Sequence, residues 1–218
     1  QLPTKEEQEN IGKKLSNLDK KIELNKQIIL SLEEIAATLF KHWFVDFEFP
    51  DENGNPYKSS GGKMVESELG EMPNDFECLF LSHNVNFLSG GTPKTKITEY
   101  WNGDILFYTP KDSKNSIYVT ETEKAITELG LSKCNSRLYP VNTVFITARG
   151  TVGNLNMANK NMAMNQSCFA LEHKEGYQYY LFFVMKTLLR QIIQGANGAV
   201  FSAINLKDLN TLKIAYPP

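Results

Sequence analysis

From Ile11 onward the apolar positions fall at Ile11, Leu15, Leu18, Ile22, Ile29, Leu32, Ala36 and Leu39, with Asn25 filling the one polar place in the register. The steps alternate between four and three residues without a slip. A strict seven-residue repeat keeps one stripe facing a partner only when two helices supercoil left-handedly, so the pattern predicts a coiled coil. Leu24, Ile28 and Ile35 widen the stripe on its flanks. Pro3-Thr4 followed by Glu6-Glu7 is a start signal with acids on the positive end of the helix dipole. From Lys5 to Leu39 the element holds 35 residues, which at about 1.5 Å each is a rod of roughly 50 Å. No compact domain of this size needs so long a rod. Asn25 is poorly solvated in any register that sets it against leucine, and so it pins the alignment. The sequence contains no second heptad run to serve as mate, so the predicted mate is a helix from another molecule or from a part of the gene outside this sequence.

The 218 residues accommodate one ordinary domain beside such a rod, and 41% hydrophobic against 22% charged residues excludes a disordered chain. Cys78, Cys134 and Cys168 are odd in number and form no CxxC pair, which argues against a disulfide framework or a zinc ribbon and fits a reducing cytoplasm. The opening Gln-Leu-Pro-Thr-Lys-Glu-Glu lacks the features of a signal peptide. The nearest approach to a membrane span, Tyr179 to Met185, is broken by Lys186 and Arg190 and reads as a buried helix.

At Trp43-Phe44-Val45-Asp46-Phe47-Glu48-Phe49-Pro50 the helical period gives way to near-alternation, and Asp51-Glu52-Asn53-Gly54-Asn55-Pro56 is dense turn chemistry. The organisation expected is a spacer helix over 1–50, a polar connector over 51–77 and a globular domain over 78–218. In that domain Asp104 to Thr109, Tyr139 to Thr147, Gln166 to Leu171 and Thr211 to Tyr216 read as strands. Tyr177 to Gln194 reads as a helix ended by Gly195, and Ser202 as the cap of a short helix running to Asp208. The strands lack helix-by-helix alternation, so the fold class is α+β: a long N-terminal helix followed by a mixed α/β domain.

Enzyme signatures are absent. His42, His83 and His173 are far apart, with no HExxH, no nucleophile elbow and no paired carboxylates in an apolar setting. Arg149-Gly150-Thr151-Val152-Gly153 lacks the Lys-Ser/Thr of a phosphate loop. No catalytic residue, cofactor or metal is expected. The charge distribution is more informative, because residues 1–77 carry 9 basic against 16 acidic side chains and residues 78–218 carry 14 against 9. Between Glu128 and Glu172 there is no acid at all, while Lys133, Arg137, Arg149 and Lys160 stand among many amides, Asn156, Asn165 and Gln166 included. Arginine reads guanine and Asn or Gln reads adenine at base edges, whereas lysines alone suit phosphates, so loops mixing these residues suit DNA readout. The candidate DNA-binding residues are Lys94, Thr95 and Lys96 in the loop that opens at Gly90, then Lys111, Ser113 and Lys114 in the loop after Thr109. Arg149, Thr151, Asn154 and Gln166 follow, and Asn197 and Ser202 complete the set. A coiled-coil scaffold whose globular end binds a protein would carry similar charged loops, and a salt-titrated gel shift separates the two.

Residues 5–50, with the heptad run and the Trp43-Phe-Val-Asp-Phe-Glu-Phe-Pro block, resemble the conserved spacer of type I restriction–modification DNA-specificity subunits. Gly90-Gly-Thr-Pro, Thr109-Pro-Lys-Asp, Ala148-Arg-Gly-Thr-Val-Gly, Asn165-Gln-Ser-Cys and Asn205-Leu-Lys-Asp-Leu-Asn resemble that family's target recognition domain, in the expected order. The resemblance implies a subunit in which recognition domains alternate with helices that pair antiparallel. This chain, ending at Pro217-Pro218, would be one half of it, either a fragment or a half-size subunit that pairs with itself. The implied partners are double-stranded DNA, a methyltransferase subunit that binds S-adenosylmethionine, a restriction subunit, and a second copy or half-subunit through the N-terminal helix. The chemistry would reside on those subunits.

Overall fold

The structure, a computed structural model, describes residues 2–195 and 203–218. The chain divides into two compact units, residues 1–57 and 58–218.

The first unit is built on α1 (Lys5–Phe44). Its start lies where the sequence signal sits: Thr4 N donates to Glu7 Oε2 at 2.7 Å and Glu7 N donates to Thr4 Oγ1 at 3.4 Å, a reciprocal cap. The bonds that Glu7 Oε2 accepts, from Thr4 N and from Thr4 Oγ1 at 2.8 Å, hold the Glu7 carboxyl below its usual range. The helix runs five residues past Leu39, because Trp43 and Phe44 still satisfy its hydrogen bonding and the aromatic alternation begins only after them. It ends where Asp46 N donates back to Lys41 O at 2.9 Å and Phe47 turns to φ 60°, a left-handed conformation uncommon outside glycine. Within this unit the large side chains of the seam are uncovered, from 45% exposure at Leu39 to 59% at Leu32, and Ala36 is half-buried. Leu24, Ile28 and Ile35 are exposed beside it.

The second unit opens with β1 (Met64–Ser67) and β2 (Gly70–Pro73), an antiparallel hairpin in the stretch expected to be only a connector. Its apolar members, Met64-Val65 and Met72-Pro73, are too few to set a period, and Gly70 at φ 92° makes the turn. There follow β3 (Glu77–Phe80), β4 (Val85–Ser89), β5 (Trp101–Tyr108), β6 (Tyr118–Val119), β7 (Lys124–Ile126) and α2 (Glu128–Ser132). The remainder is β8 (Val144–Thr147), β9 (Leu155–Ala158), β10 (Met162–Met164), β11 (Cys168–His173), α3 (Gln178–Gly195), α4 (Leu206–Asn210) and β12 (Lys213–Tyr216). The largest sheet has order β4-β11-β8-β9-β6, antiparallel except for the β6-β9 pair. A second sheet, β10-β5-β7, pairs β10 with β5 in parallel and β5 with β7 antiparallel. The chain's last strand, β12, returns to pair with β3. The short helix α4 is capped by Asn205, whose side chain accepts from Asp208 N at 3.0 Å. The predicted cap, Ser202, is not the residue at that position and lies outside the described residues.

The core sits between these strands because β8 and β10 are buried along their whole length, β8 as Val-Phe-Ile with a buried Thr147 at its end and β10 as Met-Ala-Met. Tyr108 stacks on Phe145 at 4.9 Å, and Tyr139 meets Phe145 edge-on at 5.7 Å. Tyr108, Tyr139, Phe145, Met162, Met164 and Cys168 form one cluster, and burial pushes the Cys168 thiol up to about 12.

Candidate nucleic-acid interface

Three of the predicted loops converge on the turn joining β10 to β11. Asn165 N donates to Tyr108 O at 3.0 Å, which ties that turn to the end of β5 where the Thr109 loop begins. Ala148 N donates to Ser167 O at 2.8 Å and brings in the Arg149 loop. On the third side Gly91 N donates to Met164 O at 3.2 Å, and Thr92 Oγ1 donates to the Gln166 side chain. Gly90 packs so closely here that a Cβ would lie 2.3 Å from Asn165 O, so the approach requires glycine. Thr151 Oγ1 reaches Pro110 O at 3.4 Å and links the Arg149 and Thr109 loops directly.

Between these loops lies a cleft of about 350 Å³, lined by Thr109, Pro110, Lys111, Glu123, Lys124, Arg149, Gly150, Asn165 and Ser167. Its frame is organised by Asp112, a buried carboxylate. Asp112 Oδ2 accepts from Thr109 N at 2.8 Å and from Thr109 Oγ1 at 2.7 Å, while Oδ1 accepts from Glu123 N at 2.7 Å. Charge-assisted bonds of this kind are the strong ones, and here they fix two walls relative to each other. Three cations and one carboxylate line the cleft. Glu123 lies 3.8 Å from Lys111, Lys124 sits over the Trp101 ring at 5.6 Å, and Arg149 makes no ion pair among the described residues. Asn165 Oδ1 accepts from Ser167 N at 3.0 Å, which turns its oxygen back into the turn.

Lys111 and Arg149 are the predicted residues that line the cleft. Lys114 stands beside it, paired with Glu121 at 2.7 Å, and that bond holds the Glu121 carboxyl below its usual range. Thr151, Asn154 and Gln166 are exposed on the same loops, and Lys94, Thr95 and Lys96 are exposed on the Gly90 loop. Ser113 instead donates inward to Asn156 Oδ1 at 2.7 Å. Asn197 and Ser202 lie outside the described residues. The amide-rich stretch does not face an anion as a whole. Asn156 is buried, accepting from Tyr108 Oη at 2.9 Å and donating to Lys114 O and Ser116 O, while Asn142 and Asn161 hold turns. The lining residues Glu123 and Lys124 were not singled out by sequence reasoning, Ser167 only within the Asn165-Gln-Ser-Cys motif, and Asn165 only there and among the amides of the acid-free stretch. The one local signal was the Thr109-x-x-Asp112 spacing of a capping box. Among the described residues no group of three or more His, Cys, Asp or Glu is placed to hold a metal, and no helix is long and apolar enough to cross a membrane.

A family model described as "Type I restriction modification DNA specificity domain" matches residues 73–218. The chain is 33% identical to the type I restriction enzyme MjaIX specificity subunit of Methanocaldococcus jannaschii, over 70% of this chain and 36% of that protein. It is 26% identical to the HindI specificity subunit of Haemophilus influenzae, over 76% and 46% respectively. Among solved structures, the type I restriction–modification S subunit from M. genitalium shares its fold at a TM-score of 0.65 and 19% identity, over 98% of this chain and 50% of that one. The chain thus spans half or less of the length of each of these relatives.

Proposed function

The chain belongs to the type I restriction–modification DNA-specificity family, and on that premise we propose that it is one recognition half of a specificity subunit. It reads one half of a bipartite duplex target, is itself noncatalytic, and docks the methyltransferase and restriction subunits that carry the chemistry. Target reading belongs to the second unit and the spacer to the first. The observation that carries this reading is the convergence of the Thr109, Arg149 and Asn165 segments on one donor-rich cleft within the matched region. The DNA face comprises that cleft and the exposed residues beside it: Lys94, Thr95 and Lys96 on one loop, Lys114, Thr151, Asn154 and Gln166 on the others. The uncovered apolar seam of α1 supports pairing with the helix of a second copy or of the other half of a longer subunit. At 40 residues the helix is about 60 Å long, close to two duplex turns at about 34 Å each, so it can set the distance between two half-sites. One domain alone discriminates by on the order of 1–3 kcal/mol per base pair, and two at fixed spacing combine their selectivity.

A gel shift of the full chain against random duplexes at increasing salt tests the reading. Affinity that falls steeply with salt is expected, and no binding at any salt overturns it. Arg149→Ala should weaken specific binding more than nonspecific binding.

A further inference from the structure

The cleft combines hydrogen-bond donors with one carboxylate, Glu123, whose backbone is held by Asp112 and whose exposed side chain lies 3.8 Å from Lys111, and that mixture constrains what it can read. Asparagine reads adenine bidentately, with its oxygen accepting from N6 and its nitrogen donating to N7. Asn165 is not arranged for this. A backbone N–H can only donate, so the Ser167 N–H at 3.0 Å assigns the facing atom as Oδ1 and turns it away from any ligand. Nδ2 has no partner among the described residues and presents as a donor. Arg149, exposed and without an ion pair among the described residues, adds a planar fork of donors. Glu123 is the acceptor, held in the opposite wall by the Asp112 bond to its backbone N–H. The three cations would admit a phosphate, but a phosphate only accepts and leaves the Glu123 carboxylate without a donor, whereas a base edge that mixes acceptors with a donor engages both kinds of lining group.

In the major groove a G·C pair presents two acceptors, guanine N7 and O6, and then the cytosine N4 donor. An A·T pair interleaves acceptor, donor and acceptor, and ends in a methyl group. Donors from Arg149 and Asn165 beside an acceptor from Glu123 match the first pattern. We propose that this cleft reads one G·C pair of the target, with Arg149 and Asn165 donating to guanine and Glu123 accepting from the cytosine amine. The inference rests on the DNA-recognition reading above and names what that site discriminates.

The test is selection of the full chain on a pool of duplexes randomised over 20 base pairs, repeated with Glu123→Ala, Asn165→Ala and Arg149→Lys. The wild type is expected to enrich G·C at one position. Each variant should lose roughly ten-fold or more of the discrimination at that position and retain it elsewhere. Arg149→Lys is the control for folding, since it alters only an exposed side chain and keeps the charge that a phosphate contact needs. Equal weakening at all positions, or discrimination at the G·C position that survives Arg149→Lys and Glu123→Ala, overturns the inference and leaves the DNA-recognition reading intact. Failure of the wild type to bind any duplex overturns that reading and the inference together.

Discussion

Asp112 Oδ1 accepts the backbone N–H of Glu123 at 2.7 Å, while the other oxygen of the same carboxylate holds Thr109, so one buried side chain joins two walls of the cleft. Removing it strands partly buried donors and frees the segment at Glu123, just before β7, from the Thr109 loop. Asp112→Ala is expected to destabilise the second unit by about 2–4 kcal/mol, read from urea denaturation. Asp112→Asn should fall between, because an amide accepts less strongly than a carboxylate and its nitrogen faces a donor. A midpoint unchanged in Asp112→Ala would show that the carboxylate does not organise the cleft.

Gly90→Ala tests how closely the Gly90 loop must approach the Asn165 turn. The added methyl would lie 2.3 Å from Asn165 O and 2.4 Å from Met164 O, both backbone atoms that cannot rotate away. A loss on the order of 2–3 kcal/mol is expected, lowering Tm by roughly 4–12 °C for a domain of this size. Gly176→Ala serves as comparison. Its φ of 85° strains any side chain but nothing lies within 4 Å, so the cost there should be about 1 kcal/mol.

His173 gives the second unit a pH dependence. It is buried, Nδ1 accepts from Glu175 N at 3.2 Å, and Nε2 lies 3.2 Å from Tyr216 Oη. Burial lowers its pKa from the usual 6.5, against a smaller opposing pull from Glu175. A proton on Nδ1 would also cancel the bond from Glu175. The unfolded chain therefore takes up the proton first as the pH falls. Stability is fully present above about 6.5 and is lost as the pH drops from there toward the folded pKa. Urea midpoints measured from pH 7.5 to 5 should decline in the wild type, and the decline should be shallower in His173→Gln. Parallel curves would remove His173 as the cause.

The seam was legible because a seven-residue period is a property of the local sequence, and so was the cap at Thr4. Four strands, β5, β8, β11 and β12, were legible as short β-branched or aromatic runs bounded by Gly, Pro and Asn, while β4, β6, β7, β9 and β10 and the pairing order were not. Asn156 shows why the site was only partly so. In sequence it is one of many amides in an acid-free stretch, and nothing local separates it from Asn154, yet Asn156 lies inside β9, enclosed by Tyr108 and the Lys114 and Ser116 carbonyls, while Asn154 stands exposed in the turn before that strand. Glu123 reads as a solvated charge until Asp112, eleven residues earlier, draws its backbone into the cleft wall. Charge counting identifies a basic domain, but which amides and carboxylates face the ligand is set by particular contacts, from the Asp112 bond eleven residues before Glu123 to the Tyr108 bond 48 residues before Asn156.

The α1 seam makes a prediction independent of the cleft. Ile11, Leu15, Leu18 and Ile22 are each at least half exposed, and burying such side chains contributes about 1.5–3 kcal/mol apiece. Sedimentation equilibrium of the full chain should therefore show a mass that rises with concentration, and Leu18→Glu with Ile22→Glu should return it to the monomer at every concentration tested. Asn25→Leu separates alignment from affinity. It should tighten association, because an apolar residue replaces a buried amide, while relaxing the register that the amide enforces. A thiol pair introduced at two seam positions would read that register, cross-linking efficiently in one alignment with Asn25 present and in several without it. A wild-type chain that remains monomeric at all concentrations would mean that the stripe is covered only by a helix of different sequence, and self-pairing would be rejected.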